Sequence, residues 1–268
     1  MRRRQILALV ALETRRRFLS RRMLPLLVLC AVPLVVFGAR AVVGLLQGVE
    51  ETVAYDRTVF AVMYRTLLLR FVTYFACVAV FGSLIRGEIL DRSLHTTLLA
   101  PMRRGDLALG KYLSGLVAVV VLLLPTVAAS WAGLHLAHGT GALAGAFLTA
   151  DGLITIGRYL VATALACAGY GALFLVVGIA FRSPMIPALL LLGWEAANFL
   201  LPPVLKKLSV VHYVESLVPL AMPDPSIGVL ASPSSPWIAI PGVLAVSAGL
   251  LWVAMRGLRR VEVLYGAE

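Results

Sequence analysis

Six uninterrupted apolar segments constrain this chain more than any other feature. They fall near Leu24–Leu46, Leu67–Ile85, Leu107–Leu134, Tyr159–Phe181, Pro184–Leu201 and Trp237–Met255. Each approaches the roughly 20 residues that an α-helix needs to cross a hydrocarbon core, and none alternates as a barrel strand would. The second has an earlier start near Phe60, which places Arg65 and Arg70 in its outer turns. Hydrophobic residues make up 60% of the 268 and charged residues only 14%, against about 25% in soluble domains. The surface of such a chain suits lipid, and the expected fold is an all-α, six-span polytopic bundle in one transmembrane domain over residues 1–268.

The net charge of +11 would suit nucleic acid if it formed one patch. Instead the basic residues gather at the ends of the apolar runs, a topology signal rather than a phosphate-binding surface. Seventeen of the 24 Lys and Arg fall before the first segment, in the connection Arg86–Lys111, between the fourth and fifth segments, or after the sixth. The positive-inside rule then predicts both termini in the cytoplasm, with an even number of spans. Ser20-Arg21-Arg22 imitates a twin-arginine export signal, with Ala39-Arg40-Ala41 as its cleavage site. Five further apolar segments favour retention of the first as a membrane helix.

Two connections on the expected outer side differ in character. Leu136–Gly157 has no Lys or Arg and reads as a Gly- and Ala-rich loop. Pro202–Pro236 is proline-rich yet apolar, so it is expected to fold back into the bilayer or to cap the bundle. Cys30, Cys77 and Cys167 sit in apolar runs far apart in sequence and read as small buried hydrophobes.

The most informative connection is Arg86–Lys111, RGEILDRSLHTTLLAPMRRGDLALGK. Glu88, Arg92 and His95 share one helical face, and Leu90, Leu94 and Leu98 share another. Pro101 should end the helix, and Arg103-Arg104-Gly105-Asp106 turns into the third span. The pattern predicts a short amphipathic helix over 86–104, and two readings fit it: an interfacial helix on headgroups, or a docking surface for a partner.

This connection resembles that of the ABC-2 type transporter permeases, the membrane subunits of ATP-binding-cassette exporters. The likeness rests on Glu88, Asp91-Arg92-Ser93-Leu94, Leu98-Leu99-Ala100-Pro101, Arg103-Arg104 and Gly110-Lys111 in that order. Ser93 stands where Gly or Thr is usual, and Gly105-Asp106 where an acid often directly follows the arginine. The basic N-terminal segment through Phe18–Arg22 is similar to the family's interfacial elbow helix. Trp194-Glu195 and Leu208–Tyr213 are similar to many members. The resemblance implies a type V exporter-like half-channel in a bacterial cytoplasmic (inner) membrane. It would pair with a second permease subunit, identical or not. It implies an ATPase-coupling surface from Arg86, Glu88, Asp91, Arg92, Ser93, Leu94, Leu98, Pro101, Arg103 and Arg104. On this reading the chain is not an enzyme and has no cofactor of its own. ATP and Mg2+ would be held by a separate ATPase chain, and the remaining contacts are with lipid, not nucleic acid.

Gly105–Tyr112 follows the P-loop spacing except at its last position, where Tyr112 replaces the Ser or Thr needed for magnesium. Glu195, beside Asn198, is the one acid expected deep in a span, with either an interface role or a place on the substrate pathway. His135 and His138 lie three apart and lack a third metal ligand at fixed spacing. Ala162, Ala166 and Gly169 form a small-residue face suited to close helix packing. Two alternatives remain in sight. One is a stand-alone secondary transporter or membrane-embedded enzyme. The other is an ATPase-coupled subunit that transmits force to an extracytoplasmic partner without transport.

Overall fold

A computed structural model describes residues 2–18, 20, 23–47, 53–90, 104–181, 183–196, 209–218 and 235–260. Among these residues the fold is helical, without strands. Helix α1 (Arg2–Phe18) precedes α2 (Leu24–Gln47). The second span is one long rod of α3 (Val53–Met63), a π-helical segment (Tyr64–Thr73) and α4 (Tyr74–Leu90). Then follow α5 (Arg104–Leu136), α6 (Thr140–Leu148), α7 (Ala150–Ala180), α8 (Met185–Ala196), α9 (Val210–Glu215) and α10 (Pro236–Arg260).

Among the described residues five helices are long and apolar enough to cross a membrane: Leu24–Gly44, Val53–Leu84, Arg104–Leu136, Ala150–Ala180 and Pro236–Leu258. Of the fifth expected segment, Pro184–Leu201, helix α8 covers the 12 residues Met185–Ala196, and the remainder lies outside the described residues.

The second and fourth spans form the centre, since 67% and 61% of their apolar windows are buried, against 22% for α2 and α10. Lipid is as apolar as leucine, so close contact between helices depends on small residues and polar ties rather than on hydrophobic driving force. Gly178 of α7 meets Gly82 of α4 so closely that a Cβ on Gly178 would lie 3.0 Å from the Gly82 carbonyl oxygen. Beside that seam a Cβ on Gly171 would lie 2.6 Å from the Phe81 ring. Ala162 and Ala166 are fully buried inside the single chain. The small-residue face of the fourth span therefore serves packing within the subunit.

Leu136–Gly157 is more ordered than a loop. It holds α6, reached through Gly139 at φ 91, a left-handed conformation that favours glycine. The α6–α7 turn closes tightly: Thr149 caps α7 by accepting from the Gly152 N–H at 3.2 Å, and a Cβ on Gly152 would strike the Ala146 and Gly145 carbonyls at 2.5 Å.

At this end of the bundle Phe60, Trp131 and Tyr159 meet edge to face with centroids 4.9 and 5.0 Å apart. Tyr64 binds the Tyr159 carbonyl at 3.0 Å and the Thr163 hydroxyl at 2.7 Å. Cys30, Cys77 and Cys167 are buried free thiols.

Gly178→Leu should force α4 and α7 apart and cost about 1–3 kcal/mol of overpacking. Thermal unfolding of the detergent-solubilised protein should show a lower midpoint than for Gly133→Leu, where nothing lies within 4 Å of the added Cβ.

Candidate functional site

The polar residues gather at three levels of the bundle. The first joins α1 to the start of α5. Leu9, Glu13 and Arg17 recur every four residues and share one face of α1. Leu9 occupies the space left by Gly110, where a Cβ would sit 2.6 Å from Leu9 Cδ2. Lys111 is fully buried, and its Nζ donates to Glu13 Oε1 at 3.4 Å. Arg17 donates to the Val80 carbonyl at 3.4 Å, so α1 is tied to both the second and third spans. The opposite face of α1 carries exposed Leu7, Leu12, Arg15 and Arg16.

This arrangement gives Gly110-Lys111 a physical role. Glycine admits the α1 side chain, and lysine neutralises its buried carboxylate. The P-loop-like stretch Gly105–Tyr112 is helical throughout, lies in the first turns of α5, and spends its lysine on Glu13. Arg86 and Glu88 belong to the last turns of α4, so the second-span helix continues without a break as far as Leu90. Arg104 is exposed in the first turn of α5. Asp91, Arg92, Ser93, Leu94, His95, Leu98, Pro101 and Arg103 lie outside the described residues.

The second level lies at the opposite end of the spans. Arg40 of α2 donates to Asp56 Oδ1 through Nε at 3.1 Å and a terminal nitrogen at 2.7 Å, and His138 Nε2 meets Asp56 Oδ2 at 2.7 Å. One carboxylate thus ties the first span, the second span and the end of the third. His135 is turned to its own helix, with Nδ1 on the Trp131 carbonyl at 3.0 Å. The two histidines therefore have separate partners. Among the described residues no group of three His, Cys, Asp or Glu could hold a metal ion.

The third level lies between these two. From Asp56 to Val80 the second-span rod runs about 36 Å, and Arg65 and Arg70 come about 13 Å and about 20 Å along it. Both therefore lie part-way along the rod, between the two polar levels at its ends. Arg65 donates to Glu215 Oε2 at 2.8 Å. Arg70 donates to Glu215 Oε1 through Nε at 3.1 Å and a terminal nitrogen at 2.8 Å.

The π-helix brings the two arginines together. Residues five apart diverge by about 140° in an α-helix, whereas i→i+5 hydrogen bonding stacks them. Thr73 Oγ1 donates to the Leu68 carbonyl, five residues back, at 2.9 Å.

Glu215 ends α9, whose apolar residues Val210, Val211 and Val214 are buried. Two glycines make the socket: a Cβ on Gly169 would lie 2.7 Å from Val210, and one on Gly242 2.6 Å from the Tyr213 ring. Glu195, in the last turn of α8, meets the other end of α9. It accepts from the Ser209 hydroxyl and, at 3.3 Å, from the Val210 N–H. Ser209 in turn caps α9 by accepting from the His212 N–H at 3.4 Å. Glu195 therefore joins two elements of its own chain. Asn198, its sequence neighbour, lies outside the described residues. The packing of α9 and the arginine pair is hidden in the sequence by the apolar outer connection and by the α-helical spacing expected of the second span.

No protein-family model matches the chain, and no curated protein matches it.

Lys111→Met should leave the Glu13 carboxylate buried without its cation and cost about 3–5 kcal/mol. Adding Glu13→Leu should recover most of that loss. Limited trypsin digestion should cut at Arg15–Arg17 faster in the single variant than in the wild type, and at near wild-type rate in the double variant.

Proposed function

We propose that the chain is the permease subunit of an ATP-driven exporter, coupled to a separate ATP-binding-cassette ATPase and paired with a second permease subunit. The observation that carries this reading is the Glu13–Lys111 joint. It fastens a basic, surface-lying helix to the Gly-Lys turn that closes the Arg86–Lys111 segment. Force delivered to α1 and force delivered to that segment would meet on the same turn of α5. The ABC-2-like order of residues from Glu88 to Lys111 supports the same assignment. On this reading both termini face the cytoplasm of a bacterial inner membrane, and a sixth crossing is completed beyond α8. ATP binding in the partner would bias the bundle between two packings through differential contacts.

A second reading draws on the third level of polar residues. Charges paired part-way along a span are a feature of secondary transporters, which work without an ATPase. Coupling to an ATPase without transport, to move an extracytoplasmic partner, uses the same α1 joint and differs only in what the motion serves.

Co-expression with the ATP-binding-cassette ATPases of the same genome, followed by purification through a tag on this chain, tests the assignment. The wild type should bring down one ATPase. Glu88→Lys with Arg92→Glu, or removal of residues 2–18, should each reduce recovery by about tenfold or more. A complex that survives both changes contradicts the docking surface. Substrate uptake into vesicles that contain the chain alone, driven by an ion gradient, would establish the second reading instead.

A further inference from the structure

A guanidinium near the middle of a bilayer is costly, and such groups face a bundle interior, a polar partner or a water-filled cavity. Arg65 and Arg70 lie part-way along an apolar span, and their side chains are 29% and 31% exposed on the single chain. Each guanidinium has five N–H donors. Arg65 spends one and Arg70 two, all on Glu215. Several forked donors therefore remain open on one face of the second span. A clamp that only had to fasten α9 would need one arginine and an ordinary α-helix. This one uses a ten-residue π-helix to aim two, and π-helical geometry is rare and concentrates at functional sites.

Tyr170 adds a donor that is not yet used. Its side chain is 1% exposed, its hydroxyl has no hydrogen-bond partner, and it lies within electrostatic reach of both Glu195 and Glu215. Apolar side chains flank the arginines: Val62 and Met63 before them and Phe71 after them are exposed on the same rod. The face therefore offers forked cationic donors set in an apolar wall.

We propose that Arg65 and Arg70 form a binding site for the anionic headgroup of an amphipathic molecule, with Glu215 as the internal anion that this headgroup displaces. The headgroup is a carboxylate or a phosphate, both of which fit two guanidinium forks. Its apolar body lies along the exposed Val62–Phe71 wall. Displaced from the arginines, Glu215 releases the C-terminal end of α9 while Glu195 keeps the other end in place. Headgroup binding would thus be felt by α8. The proposal rests on the permease reading only in treating this face as part of a substrate route.

The test uses the full chain in nanodiscs of zwitterionic lipid, without ATPase or ATP. Tryptophan fluorescence is titrated with dodecanoate, dodecyl phosphate and uncharged dodecanol, and empty nanodiscs serve as background. Saturable binding of dodecanoate or dodecyl phosphate is expected, with dodecanol weaker by about tenfold or more, and the tighter of the two anions identifies the headgroup. Arg65→Gln and Arg70→Gln should each weaken anion binding by about tenfold, the loss of one forked partner. Glu215→Gln should tighten it by a similar factor, because the competing carboxylate is gone. A purely structural clamp predicts no such gain.

Equal binding of dodecanol, or a folded Glu215→Gln protein with unchanged or weaker anion affinity, overturns the proposal. Should Glu215→Gln fail to fold, Arg65→Lys decides, since it keeps the charge and loses the fork. Anion binding weakened several-fold in that variant supports the site, and unchanged binding refutes it. A chain that docks an ATPase but binds no anion keeps the permease reading and loses this one, whereas anion binding without ATPase docking does the reverse.

Discussion

Charge placed inside an apolar bundle must be neutralised, and most of this architecture follows from how that is done. At each of the three polar levels a carboxylate holds together segments distant in sequence. Glu13 and Lys111 are 98 residues apart, Asp56 and His138 82, and Arg65 and Glu215 150. Where packing supplies little net drive between helices in lipid, such ties specify which helices are neighbours. Breaking a buried pair by removing one partner is far more costly than never having had it. The same ties therefore make the arrangement hard to replace piecemeal.

The levels differ in what they leave available. Glu13–Lys111 is enclosed, a joint between a surface helix and the body. Asp56 is shared by Arg40 and His138 at the far end and closes three helices over a dense aromatic cluster. The middle level joins partly exposed charge to a short element: the Arg65 and Arg70 side chains are 29% and 31% exposed, and Glu215 closes the six-residue helix α9. Glu195 and Glu215 hold α9 at its two ends, so a change at either carboxylate reaches the other through six residues of helix.

Much of the frame was legible from the sequence, because apolar length and charge position obey bilayer thickness. The five long helices described fall where five of the apolar runs are. The remaining run, Pro184–Leu201, holds α8 as far as Ala196, and the rest of it lies outside the described residues. The Arg65–Arg70 pairing is not legible, because α-helical spacing puts the two on different faces and a π-helix has no simple sequence signature. Glu195 stands out as a buried acid, while its partners Ser209 and Val210 lie 14 and 15 residues away, where no helical spacing rule reaches. Lys111 was visible as the end of a motif, while its carboxylate lies in the N-terminal helix, where no spacing rule reaches.

The central claim is that the middle of this bundle carries a wet, charged face and not a lipid-facing one. Thiol accessibility measures that directly, because a cysteine reacts with water-soluble reagents only where water allows a thiolate to form. In a background with Cys30, Cys77 and Cys167 replaced by alanine, Arg65→Cys and Val35→Cys proteins would be placed in nanodiscs and exposed to a charged methanethiosulfonate reagent. Position 65 should react at least about tenfold faster than position 35, whose native valine is exposed on the outer face of α2. Equal, slow modification of both would show that lipid covers the arginine face and would contradict the account.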